Sequence, residues 1–75
     1  MTPETRELLR RCAVCLRRGE DPMAEICFEA AMMDLAESAQ TDEPLLRASE
    51  AFAEGWLQHD TLRCADVIEY GLLRV

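Results

Sequence analysis

The chain has 75 residues, of which 49% are hydrophobic and 31% charged, and a net charge of −7, the make-up of a globular domain and not of a disordered tail. A chain this short buries a smaller share of its surface than a large one, so its stability is marginal and a second subunit or a partner would add to it. No run approaches the roughly 18 unbroken apolar residues of a membrane span, and Gly19 to Val75 carries three basic against 13 acidic residues, which disfavours nucleic acid as a partner for that surface.

Apolar residues recur three and four apart almost throughout, with no alternating β-branched run, so the expected class is all-α. Helix 1 is expected over 3–18, with Pro3 in its first turn and Gly19 after its end. Its core stripe reads Leu8, Cys12 and Cys15, with Leu9 and Leu16 alongside. Arginines and glutamates interrupt every apolar stretch of Met1 to Arg18, so no secretory leader is visible and a cytoplasmic location with reduced thiols is expected.

Helix 2 is expected over 22–39, with Asp21 as N-cap before Pro22. Bulky groups fall on more than one of its sides. Met23, Ile26, Cys27 and Met33 lie towards one, and Phe28, Met32 and Leu35 towards another, so this helix should be covered from two directions. Helix 3 starts at Pro44 and runs to about residue 58 through Leu45, Leu46, Phe52, Ala53, Trp56 and Leu57. Helix 4 is expected over 61–74, capped by Asp60 or Thr61, with a stripe of Leu62, Ala65, Ile68 and Leu72. Because Gln58 to Thr61 contains neither Gly nor Pro, fusion of helices 3 and 4 stays open at this level.

Helices 1 and 2 resemble a tetratricopeptide repeat. Leu8 falls where that family has its first large residue, Arg11 and Cys12 where it has Leu-Gly, Cys15 where it has Tyr, and Gly19 falls at the turn. Ala24, Phe28 and Ala31 reproduce its second-helix trio. Arg11 and Ala36 depart from the pattern, at positions where a buried Leu and a helix-ending Pro are usual. In the second half Cys64, Ile68 and Gly71 take the trio positions, but the spacing is not a strict 34-residue period, the insertion falling at Gln40 to Pro44.

The resemblance implies two helical hairpins, fewer than the three repeats that usually stand alone. In the wider family, which includes the small chaperones of type III secretion, ligands lie against the first helix of each pair. That implies a partner face of Arg6, Leu9, Arg10, Leu16 and Arg17 on helix 1, with Leu46, Glu50, Ala53, Trp56 and Leu57 on helix 3. An amphipathic helix of another protein would suit it.

Other chemistry is weaker in the sequence. Cys12 and Cys15 have the gap of a zinc knuckle and could join His59 and Cys64 as ligands, but cysteines three apart on a helix share a face and read first as core. His59 is the only imidazole, and no nucleophile or orienting acid is tied to it, so no enzyme activity is expected. Asp60, Asp66 and Glu69 read as a solvated acidic face, and no cofactor or metal motif accompanies them.

Met1 to Arg18 carries five arginines against two glutamates, a net +3; its first expected target is this protein's own acidic surface, matched across a two-fold homodimer, with ordinary solvated charge as the alternative. The leading expectation is an acidic adaptor or chaperone-like module that grips a partner helix. The second is an acidic antagonist, of the sort a phage encodes, that blocks a basic site on a regulatory or nucleic-acid-binding protein. The third is a zinc-stabilised module.

Overall fold

A computed structural model describes residues 1–74. Its elements are α1 (Pro3–Arg17), α2 (Asp21–Ala39), α3 (Glu43–Leu57) and α4 (Thr61–Val67), the last continuing into a π-helical turn, Ile68–Leu72. The chain is an all-α bundle of four helices in two hairpins, α1–α2 and α3–α4.

Local chemistry sets the helix ends. The Thr2 hydroxyl accepts from the Thr5 amide at 3.1 Å, the Asp42 carboxylate from Leu45 at 3.2 Å and the Asp60 carboxylate from Arg63 at 3.1 Å, each satisfying an amide that the first helical turn leaves without a partner. Asp21, expected as an N-cap, is instead the first residue of α2, and Glu20 precedes it without a side-chain cap. The closure of α1 explains this. The Glu20 amide donates to the Cys15 carbonyl at 2.8 Å and Gly19 to Leu16 at 3.3 Å, a Schellman turn that leads straight into the next helix.

The same pair of bonds closes α3, where Asp60 donates to Gly55 at 2.9 Å and His59 to Trp56 at 3.1 Å. That turn separates α3 from α4 and requires left-handed backbone at Gly19 (φ 74°) and at His59 (φ 55°). Gly19 takes it freely, whereas His59 carries a Cβ against it. His59→Gly is therefore expected to raise stability by about 1 kcal/mol, read as a higher urea midpoint at unchanged slope. The two hairpins keep one register: α3 and α4 each begin 40 residues after α1 and α2, so Ala24, Phe28 and Ala31 correspond to Cys64, Ile68 and Gly71.

α1 packs on α2 and on α4, and α3 packs on α4 and on α2, while the diagonal pairs α1/α3 and α2/α4 do not bring their backbones together. The ring is closed by α4 lying back on α1. Its core comprises Leu9, Cys12, Ala13 and Leu16 of α1, Ala24, Cys27, Ala31, Leu35 and Ala39 of α2, Leu45 and Phe52 of α3, and Cys64, Ala65, Ile68 and Leu72 beyond. Gly55 sits at a close approach of α3 to α4, since a Cβ there would lie 3.1 Å from Cys64 Sγ.

Two stripe assignments and one helix end change. In α1 the buried stripe is Leu9–Cys12–Ala13–Leu16, with Leu8 and Cys15 only partly covered. Neighbouring apolar pairs make both stripes available, and docking on α4 as well as α2 selects the second. Leu62 is exposed and Cys64 takes its place in the core. The helix expected to run to 74 widens after Val67, where the Leu73 amide reaches the Ile68 carbonyl at 2.9 Å.

Polar contacts fasten the ends of the ring. Arg17 donates to Glu69 through Nε and Nη2, both at 2.9 Å, and to Asp66 at 2.7 Å, joining α1 to α4. Arg6 donates to the Leu73 carbonyl at 2.6 Å, and the Thr2 amide donates to Asp34 at 3.0 Å. The Arg17 hydrogen bonds hold the Glu69 carboxyl below its ordinary range, and the Thr2 amide does the same for Asp34. A carboxyl depressed in the folded state stabilises the fold above its unfolded pKa, about 4.3 for Glu, and ceases to do so as pH falls through its folded value. Arg17→Met is thus expected to lower the melting temperature at pH 7 and to flatten its decline between pH 5 and 3, leaving the part of the slope due to Asp34.

Candidate functional site

The hairpins meet along α2 and α3, and there the bundle is open. An apolar trough of about 800 Å³ runs between the two helices, lined by residues of both including Phe28, Met32, Leu35, Phe52, Ala53 and Trp56, within the size range of ligand-binding clefts.

Its floor is an aromatic stack. Phe28 of α2 lies on Phe52 of α3 with ring centroids 4.3 Å apart and planes 15° apart, and Trp56 stacks on Phe52 at 5.7 Å. Phe52 is 2% exposed and belongs equally to the core, while Phe28 and Trp56 are partly covered and present ring surface to the trough. Met32, Leu46 and Leu57 are exposed on its walls, Leu57 at 81%. The only charged side chains in the lining are Glu25 and Glu29, one turn apart on α2, with Gln40 and Ser49 as further polar groups. An unpaired apolar surface edged by negative charge can bury an apolar side chain and attract a cation beside it.

The expected partner face divides in two. Leu46, Ala53, Trp56 and Leu57 line the trough, whereas Glu50 is exposed on α3 outside its lining. None of the α1 residues does. Leu9 and Leu16 are core residues, 0% and 2% exposed, so neither can meet a partner on a folded chain. Arg6 and Arg17 are engaged with the C-terminal helix, and Arg10 pairs with Glu7 at 3.3 Å. Because α1 and α3 are diagonal in the ring, they do not form a joint face. The second wall belongs to α2, where Phe28 and Met32, expected to be covered by a neighbouring helix, line the trough. Their signal was the apolar width of helix 2, more than one neighbour can cover.

Of the α1 arginines, Arg17 meets acidic side chains of α4 and the turn after it within the chain, at Asp66 and Glu69. The thiols are dispersed as well. Cys12 and Cys64 are buried, and burial pushes the Cys12 thiol up to about 12 and raises that of Cys64. Cys64 contacts the Phe52 carbonyl at 3.7 Å. His59 stands at the α3–α4 turn, lining a smaller depression of about 330 Å³ with Asp21, Glu25 and Asp60. Among the described residues, no three His, Cys, Asp or Glu side chains converge as metal ligands would, and no helix is long and apolar enough to cross a membrane.

Comparison with protein-family models, with curated proteins and with solved structures gives no match for this chain.

Proposed function

We propose that this protein is a protein-binding module whose α2–α3 trough receives an amphipathic helix bearing basic residues beside its apolar stripe. The observation that carries the reading is the trough itself, an open apolar channel with an aromatic floor whose only charged lining residues are Glu25 and Glu29. A helix laid in it would place apolar side chains against Phe28, Phe52 and Trp56, with an Arg or Lys within reach of the rim. An adaptor or small chaperone acts in this way, and the likeness of α1–α2 to a tetratricopeptide repeat supports that role, with the groove moved from the first helices to the α2–α3 seam.

Trp56 is the only tryptophan, so its emission reports occupancy directly. A synthetic helical peptide with leucines at i, i+3, i+4 and i+7 and arginines beside them should shift that emission to the blue and saturate in the micromolar range. Glutamates in place of the arginines should weaken binding at least tenfold, because they set like charges against Glu25 and Glu29, and a scrambled arginine peptide should not bind. Equal response to all three peptides, or none, would remove the proposal. Binding of the scrambled arginine peptide that collapses with added salt would favour the acidic antagonist instead, since that reading needs cations without an apolar stripe.

A further inference from the structure

α2 carries a third apolar face that neither the core nor the trough uses. Met23, Ile26, Ala30 and Met33 lie at intervals of three, four and three residues, the spacing of a helix–helix seam, and all four are exposed, Met23 at 50%, Ile26 at 61% and Met33 at 83%. Glu25 and Glu29 turn towards the trough, and Ala24, Ala31 and Leu35 towards the core. Val14 of α1, 46% exposed, extends the face beside Met23.

We propose that this stripe is the seam of a homodimer in which α2 packs antiparallel against α2 of a second copy. The stripe is self-complementary. A two-fold axis level with position 28 sets Met23 of one protomer against Met33 of its partner and Ile26 against Ala30, a large side chain facing a small one at both central contacts. The charges agree with this register. Arg18, at the α1–α2 turn, has no ion pair among the described residues, and the axis sets it level with position 38 of the partner's α2, one residue from the exposed Glu37. A parallel arrangement would set Arg18 beside Arg18 and Glu37 beside Glu37.

From Met23 to Met33 the seam is about 15 Å long at 1.5 Å per residue. That is short against the roughly 1,200 Å² at which stable interfaces begin, so the dimer dissociates at micromolar concentration. The trough lies on another side of α2 and stays open in both protomers.

Sedimentation velocity from about 2 to 500 μM, a range that brackets micromolar dissociation, should show a monomer passing to a dimer and to nothing larger. Ile26→Lys should weaken the dimer at least tenfold without altering helicity, because Ile26 lies outside the core. Arg18→Glu should weaken it, and adding Glu37→Arg should restore it by exchanging the charges. Trp56→Ala should leave it intact, and Ile26→Lys should leave the peptide response of Trp56 intact, which separates this seam from the trough. A monomer at every concentration, or a dimer indifferent to Ile26→Lys, would overturn the seam. A dimer lost with Trp56→Ala would place the second copy in the trough, and failure of Glu37→Arg to rescue Arg18→Glu would overturn the antiparallel register.

Discussion

Leu9→Ala is expected to cost about 2–5 kcal/mol of stability, the range for a leucine removed from a packed interior, and to have no direct effect on a partner. Leu9 is fully buried on α1, in the stripe that faces α2 and α4 at once. Truncation leaves a cavity between three helices, which cannot all close on it. At roughly 0.05–0.15 kcal/mol per residue, a chain of this length has about 4–11 kcal/mol in all, so one substitution removes a large part of the margin. Thermal melts by circular dichroism would show a fall of at least about 8 °C, taking 4–8 °C per kcal/mol for a domain of this size. A change of less than 2 °C would mean that α1 does not pack by this stripe. Peptide binding measured well below the variant's melting point should keep its affinity, because α1 contributes nothing to the trough.

That expectation turns on the part of the fold that the sequence left undetermined. Helix class and approximate ends were legible because local groups write them: Pro3, Pro22 and Pro44 lie in first turns, Asp60 caps α4 with its own side chain, and Gly19 closes α1 in left-handed backbone. The break at His59 was less legible, since an L-residue occupies the position that Gly holds in the first hairpin, and the hydrogen bond from Asp60 to Gly55 enforces the turn. Which of two adjacent stripes of α1 is buried was not legible. Leu8–Cys12–Cys15 and Leu9–Cys12–Leu16 are both apolar, and only the docking of α4 on α1, between residues some 50 positions apart, decides between them.

The candidate site was half legible for the same reason. Leu46, Ala53, Trp56 and Leu57 share a face of α3 by helical spacing alone, and that face does line the trough. Its other wall depends on which helix stands next to α3. By analogy with open repeats this would be the preceding hairpin's first helix; in this closed ring it is α2, because each helix packs beside its chain neighbour and α4 returns to α1. Phe28 carried the information in another form. An aromatic at the position where helices approach can fill the gap between them or, where the gap is wide, floor it, and stacking on Phe52 at 4.3 Å shows the second.

Reversing the rim charge with Glu25→Lys and Glu29→Lys together should invert the trough's preference, so that a glutamate-flanked amphipathic peptide binds at least tenfold more tightly than its arginine-flanked counterpart. Both carboxylates are exposed and neither forms an ion pair among the described residues, so the exchange strands no partner within the chain and the fold should be unaffected. The apolar floor remains, and with it the part of the affinity that does not depend on charge. What changes sign is the potential over the channel, which acts on the ligand's flanks at the short range left by screening, about 8 Å at physiological ionic strength. Inversion should therefore be largest at low salt and shrink as salt rises, while Trp56→Ala weakens both peptides alike in either background because it removes floor and not rim. A double charge variant that still prefers the arginine peptide would mean that the cation is read elsewhere than at Glu25 and Glu29, and the occupant would then have to lie across the trough in a different direction from the one its walls define.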